Sequence, residues 1–383
     1  MLNALYESYA EIDGNGIMIE NKNITPLFYE LLRSSIGTPR PIQPPSAYDW
    51  SVMYDLAASH AVLGICFNGI QKWCDLYPEC TINLPTALRM RWLGMAANIH
   101  KQNEFMNKRC AELYSTLSDC GLRSCVLKGQ GIAQFYPEPL RGLRQSGDID
   151  IWVEGEMKTT IEKINSIGIE LADIHYVHAT AKFFEDVIVE VHFRPSWMYN
   201  PNSNLKLQTF FKEQSATQFD LYDESVGFAS PSVYFSLVHS IVHINRHIFE
   251  EGIGIRQLID LYFILNRSDT CVRKSSYSFL CSIGLKEFTA AVMYVEKEIL
   301  AIDDSLLLCA PNVRLGSRLL KEIVEGGNFG NRFELKKGRN KIEKGYLQFR
   351  HNVKYYIPYI NEVFWIPIFQ LWHWCWRKLN GYL

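Results

Sequence analysis

No two of the ten cysteines stand in CxxC spacing. Several lie inside apolar periodic stretches, so the thiols read as reduced, mostly buried and cytoplasmic rather than as a disulfide framework. An excess of one charge is missing too: 39 Lys and Arg face 41 Asp and Glu, a formal net charge of −2. Nothing global therefore points to an acidic surface or a nucleic acid, and no stable nucleic-acid binding is expected. The opening MLNALYESYAEIDGNG lacks a basic start, an apolar core and a cleavage site, so no signal peptide is expected. Long apolar runs are also scarce. The aromatic stretch Tyr355–Leu379 is interrupted by Pro358, Asn361, Glu362 and Pro367 and ends in Arg377 and Lys378, a poor match to a membrane-spanning helix. Two readings of it stand: a segment packed on its own protein, or an interfacial segment resting on the inner membrane face. Repeats and low-complexity tracts are absent.

What is present is an ordinary globular balance, 48% hydrophobic and 21% charged over 383 residues, a length that favours two or three units. From about Thr25 to Ser118 the pattern is helical. Val52, Leu56, Leu63 and Phe67 recur near 3.6 spacing, as do Ile99, Met106, Cys110, Leu113 and Leu117. A proline-rich connector, GTPRPIQPP, lies between Gly37 and Pro45. Between Gly121 and Ser230 strands and helices alternate. RSCVLKG reads as a strand stopped by Gly129, QGIAQFY as the first turns of a helix, and GDIDIWV as a strand. EMKTTIEKINSIG reads as an amphipathic helix with Ile161, Ile164 and Ile167 inward. HATAKFFEDVIVEVHF reads as two strands around a turn at Glu185–Asp186. Helices return from Pro231. The expected fold is α+β, a small mixed β-sheet with helices on one side, bracketed by helical regions: 1–118 helical, 119–230 the α/β core, 231–383 helical with the aromatic tail.

The chemistry concentrates in the core. In a strand, Asp148, Asp150 and Trp152 share one face while Ile149, Ile151 and Val153 share the other. Two unpartnered carboxylates side by side repel and resist desolvation, and a cation between them removes both problems. In VIVEVHF, Ile188, Glu190 and His192 likewise share a face. If the strands are neighbours, Glu190 joins the aspartates, and three hard carboxylates without cysteine suit Mg²⁺ or Mn²⁺. Such an ion is normally shared with substrate phosphates, which suggests a nucleoside triphosphate. LKGQG supplies Lys128 and a Gly129 turn running into a helix N-terminus for those phosphates. PLRGLRQSGDID supplies Arg141 and Arg144 just ahead of the aspartates. Each element has a plain alternative: Asp148 pairing with Arg144, an ordinary Lys-Gly turn, or an edge strand whose Glu190 and His192 face solvent.

VLKGQGIAQFYPEPLRGLRQSGDIDIWV followed by VIVEVHF resembles the uncharacterised nucleotidyltransferase family of the DNA polymerase β-like superfamily. The likeness continues into LVHSIVHINRHIFEEGIGIRQLIDLYFIL, covering roughly Gly121 to Leu265, with an echo at EGGNFG, Glu325–Gly330. The resemblance implies a nucleotidyltransferase core with Asp148, Asp150 and Glu190 as metal ligands and catalytic carboxylates, and Lys128–Gly129 as the phosphate loop. Gln130, Arg144, Ser146, His192 and His243 join them as expected nucleotide-binding residues. The expected cofactor is Mg²⁺ (or Mn²⁺), the donor an NTP with ATP the first choice, and the acceptor a hydroxyl on a small molecule, sugar or protein. The loop is Gly-Gln where the superfamily at large has Gly-Ser or Gly-Gly, which leaves the placement of Lys128 and Gln130 open. A glycosyltransferase using its DxD on a sugar nucleotide and a catalytically silent binding protein are the competing readings; the helical texture before Gly121 counts against the first.

Beside this core, His239, His243 and His247 recur every four residues along one helical face, either packed, bound to metal or lining an active site. Arg256 and Asp260 have the spacing of an intrahelical ion pair, or brace their helix against the sheet. The basic run Glu334–Gly345 reads as a solvated loop, with an acceptor or membrane contact as the alternative.

Overall fold

The computed structural model describes residues 24–38, 49–78, 83–250, 252–328 and 359–382. The connector from residue 39, the basic run 334–345, Cys80 and the opening 23 residues lie outside them. Four helices come first: α1 (Ile24–Ile36), α2 (Trp50–Ser59), α3 (Leu63–Leu76) and α4 (Thr86–Asp119). The apolar spacing across residues 52–67 reads as one helix. The chain instead breaks at His60–Ala61, where Ala61 takes a positive φ of 57°, and re-enters as α3. A side chain in that conformation is strained and cannot continue a right-handed helix.

The 34 residues of α4 reach about 50 Å and tie the molecule together. Its N-terminal half buries Trp92, Ala96 and Ile99 in a large helical core. Its C-terminal half buries Met106, Cys110, Leu113 and Leu117 under the sheet. All keep the helical period, so one apolar stripe serves two cores.

Then come β1 (Ser124–Val126), the single turns α5 (Gln130–Ala133) and α6 (Leu140–Leu143), β2 (Ile149–Val153), α7 (Met157–Ser166), β3 (Leu171–Ala172), β4 (His178–Ala181) and β5 (Val189–His192). They form one mixed sheet of order β1-β2-β5-β4-β3, in which only β2 and β5 are parallel. Ile149, Ile151, Val153, Val189 and Val191 face α4 and Ile164 of α7. Ile167, expected inward, is 37% exposed beyond the end of α7.

After α8 (Pro201–Asp220), a short ribbon of β6 (Tyr222–Asp223) and β7 (Phe228–Ala229) leads to α9 (Val233–Glu250), α10 (Ile255–Arg267), α11 (Thr270–Ser282), α12 (Lys286–Leu300) and α13 (Val313–Gly326). The chain ends in α14 (Ile360–Val363) and α15 (Ile366–Leu379). Helices cover both faces of the sheet, not one. On the second face Trp152 packs against Phe211 and Phe219 of α8 and Phe235 of α9. That apolar seal occupies one end of the face and leaves the Asp148–Asp150–Glu190 end to a cavity. Meanwhile α1 packs on both α3 and α12, so the helices before and after the sheet share a single core.

Candidate active site

The parallel pairing sets Asp150 directly opposite Glu190, and Trp152 opposite His192. Asp148 lies on the same side, just before β2. Ligand oxygens of Asp148, Asp150 and Glu190 all fall within 4.8 Å of one another. Oxygens bound 2.0–2.6 Å from one ion lie no more than about 4–5 Å apart, so the donor set and its spacing fit a hard divalent cation.

The three carboxylates differ in environment. Asp150 is 3% exposed, with Lys128 Nζ and His192 Nε2 at 2.7 and 2.8 Å from its Oδ1. Burial alone would raise its carboxyl, but these two cationic neighbours hold it well below the usual carboxylate range. His192 Nε2 also approaches Glu190 at 3.4 Å, and Nδ1 faces the Arg194 carbonyl at 3.2 Å. Both ring nitrogens thus meet acceptors, which an imidazolium satisfies. Burial opposes that charge, yet the bonds to Asp150 and Glu190 raise the pKa above its ordinary value. Among the described residues no such cation is in contact with Asp148. The charge of Asp150 pushes it up to about 6, although Asp148 is the exposed member of the three.

Lys128 and Gly129 follow β1 and line the cavity with the carboxylates. Gly129 has φ +54°, a conformation L side chains rarely adopt, although a Cβ there would meet only the Asp148 carbonyl at an ordinary 3.6 Å. Two residues on, Gly131 is required for space, since a Cβ would run into the Val126 carbonyl oxygen. The following α5 is only one turn long, so its dipole contributes little. Gln130 turns away from the cavity: its amide donates to Asn107 Oδ1 at 2.6 Å and to the Asn103 carbonyl at 3.3 Å, both on α4. Ser146 is likewise absent from the lining, and its hydroxyl is buried. His192 lies behind the carboxylates it braces.

Arg144 lines the cavity but is locked on α10. Its Nε and one terminal nitrogen reach Asp260 at 2.7 and 2.8 Å, and the Tyr136 hydroxyl donates to the same carboxylate at 2.6 Å. Asp260 thus braces Arg144 rather than pairing within its helix, and Arg256 donates to the Gln145 carbonyl at 2.8 Å. One terminal nitrogen of Arg144 and Nε of Arg256 are buried without a hydrogen-bond partner among the described residues.

The cavity holds about 760 Å³, ample for a nucleotide. Opposite the carboxylates, α9 presents His239, His243 and His247. Burial, with the Lys128 charge, pulls His239 down to about 3. Burial likewise holds His243 and His247 well below their ordinary value, so all three are neutral at pH 7. The far end is aromatic. Trp197, Tyr199 and Tyr176 line it, and α15 adds Phe369, Gln370 and His373. The aromatic tail therefore packs on its own protein along one face. His373 Nε2 accepts the Tyr176 N–H at 3.3 Å, and Glu362 accepts the N–H groups of Tyr199 and Asn200 at 2.9 and 3.4 Å.

The histidines of α9 were legible as site candidates, whereas the aromatic wall residues and His178 were not. Only the alternation in HATA gave a signal for His178, and nothing in the sequence ties residue 369 to residue 197.

A family model described as uncharacterised nucleotidyltransferase matches residues 46–300, about two thirds of the chain. The chain belongs to that family. No curated protein matches it. The nucleotidyltransferase match runs from just before α2 to the end of α12, so the family unit includes helices on both sides of the sheet. It stops short of α15, whose Phe369, Gln370 and His373 complete the cavity wall.

Proposed function

We propose that the protein transfers a nucleoside monophosphate from an NTP to a hydroxyl acceptor and releases pyrophosphate. The observation that carries this reading is the convergence of Asp148, Asp150 and Glu190 beside Lys128 and Gly129 on the wall of one cavity. The three carboxylates would hold Mg²⁺ or Mn²⁺, which when bound activates the acceptor hydroxyl and neutralises charge on the phosphates. Lys128 supplies a cation beside the carboxylates, and the Gly129 bend lets the backbone approach phosphate closely. The unpartnered nitrogens of Arg144 and Arg256 suit an anionic leaving group, with Arg144 held in place by Asp260. Neutral imidazoles on α9 suit hydrogen bonds to the base or acceptor.

The test is incubation with each of the four NTPs, ATP first, labelled at the α-phosphate, with Mg²⁺ or Mn²⁺ and a cell extract. Label on an acceptor with wild type and none with Asp148→Asn supports the reading. Equal labelling by both proteins rejects it.

Among the described residues no helix is long and apolar enough to cross a membrane. The outer face of the tail nonetheless exposes Phe364, Ile368, Leu371, Trp374 and Leu379, the last 87% exposed, with Arg377 and Lys378 at its end. Apolar and aromatic groups flanked by cations fit the interface of an anionic bilayer. We infer peripheral contact with such a surface. Co-sedimentation with anionic but not zwitterionic vesicles, weakened by Leu371→Glu, is the expected result.

A further inference from the structure

We propose that His178, Glu190 and His192 form a second cation site, for a borderline divalent ion of the Zn²⁺ class, beside the carboxylate triad. It goes beyond the nucleotide reading, shares Glu190 with it, and draws on His192, whose Nε2 also bonds Asp150 of the triad. Strand register creates the site. In the antiparallel β4–β5 pair His178 lies directly across from His192, and Glu190 is the next residue on the same face of β5. The rings of His178 and His192 are 5.1 Å apart. Nδ1 of His178 lies 3.7 Å from Glu190 Oε2, and Nε2 of His192 lies 3.4 Å from the same oxygen. One donor atom from each of the three residues falls within 4.8 Å of the other two.

The chemistry of this set differs from that of the triad. Two imidazole nitrogens and one carboxylate suit zinc and its neighbours, whereas three carboxylates suit Mg²⁺. Nδ1 of His178 is buried with no hydrogen-bond partner among the described residues, and it points at Glu190. His192 has Nδ1 on the Arg194 carbonyl, the outer bond that commonly orients a metal-bound histidine, while its Nε2, bonded to Asp150 Oδ1 at 2.8 Å, gives up that proton and partner on taking the ion. Three protein ligands leave one position open, and His178 and Glu190 both line the cavity. An ion held there would neutralise Glu190. His373, although near, has its Nε2 committed to the Tyr176 N–H.

The experiment uses the full chain stripped with chelator and titrated with Zn²⁺ or Co²⁺, without nucleotide, by calorimetry and visible absorption. Wild type should bind Zn²⁺ with one histidine-dependent site. His178→Ala should weaken that site by at least tenfold, and Asp148→Asn should leave it within threefold. In the Co²⁺ protein, two solvent-exchangeable, paramagnetically shifted imidazole N–H resonances should appear, a readout that needs no variant. Absence of Zn²⁺ binding, equal affinity in His178→Ala, or Co²⁺ spectra without shifted imidazole protons would each overturn the proposal. Equal loss of Zn²⁺ binding in Asp148→Asn would also overturn it, by moving the ion to the triad. Loss of NTP labelling in Asp148→Asn with Zn²⁺ binding intact separates the two readings.

Discussion

Asp150 and Glu190 face each other across the one parallel strand pair of the sheet, 40 positions apart in sequence but in register. Neighbouring strands lie about 4.8 Å apart, so the pairing alone brings two carboxylates to ion-sharing distance. Asp148 then joins through the two-residue strand period. The site is thus a product of register, and a one-residue slip of β5 would send Glu190 into the core beneath the sheet.

Asp148 and Asp150 should respond to amidation in opposite ways. Asp148 is raised to about 6, above its unfolded value near 3.9. Its ionisation therefore opposes folding above pH 6, and the penalty fades between pH 6 and 4 as the folded protein takes up the proton. In chelator, Asp148→Asn should raise Tm at pH 8 and leave it nearly unchanged at pH 4. Asp150 is held well below the usual range, so its stability contribution is present at neutral pH. Asp150→Asn leaves Lys128 and His192 without their shared acceptor and should lose about 3–5 kcal/mol in urea denaturation at pH 7. A stabilising Asp150→Asn would contradict this account.

The buried Arg144–Asp260 pair joins the loop before β2 to α10, and Tyr136 shares its carboxylate. Removing one partner of such a pair strands a buried charge, at about 3–5 kcal/mol. Asp260→Asn should destabilise on that scale. It should also raise KM for the nucleotide more than it lowers kcat, because Arg144 loses its brace while Asp148, Asp150 and Glu190 stay in place. Urea midpoints and steady-state kinetics check the two halves separately.

Gly129 gives a smaller, purely conformational effect. A Cβ has room there, but φ +54° does not suit an L side chain. Gly129→Ala should therefore lose about 1–3 kcal/mol by urea denaturation, with a fall in labelling if the bend relaxes. Gly131→Ala, facing the Val126 carbonyl at closer range, should lose more.

Much of this was legible in the sequence wherever one element sufficed. The alternation of aspartates with Ile149 and Ile151 gave the face of β2, and the 3.6 spacing of Met106, Cys110 and Leu113 gave the buried stripe of α4. Failures came where two distant segments had to be aligned. A hairpin centred between Glu185 and Asp186 sets His178 against Phe193; the observed register, centred on Glu185, sets it against His192. That single step decides whether His178 shares a face with Glu190. Asp260 has a near cation at Arg256 and a distant one at Arg144, and spacing favours the near one. Packing of α10 against the loop before β2 reverses the choice. For Gln130, adjacency to Gly129 suggested the nucleotide, while the turn of α5 points its amide at α4.

The tail carries two titratable groups whose effects oppose each other. Burial pushes Glu362 up to about 7, although it accepts the Tyr199 and Asn200 N–H groups. An acid raised from about 4.3 weakens docking as pH climbs from 4.3 to 7, by roughly 4 kcal/mol over the full window. Burial, then the neighbouring His175, brings His373 down to about 4. A base lowered from about 6.5 strengthens docking as pH climbs from 4 to 6.5. In wild type the two trends offset each other, so hydrogen-exchange protection of residues 360–379, corrected for intrinsic rate, should change little between pH 5 and 7. Glu362→Gln keeps an acceptor for the N–H groups but cannot ionise, and its protection should rise over that range. His373→Asn should do the reverse, its protection falling. Parallel pH trends in wild type and Glu362→Gln would show that the Glu362 carboxyl does not govern how α15 closes over the aromatic end of the cavity.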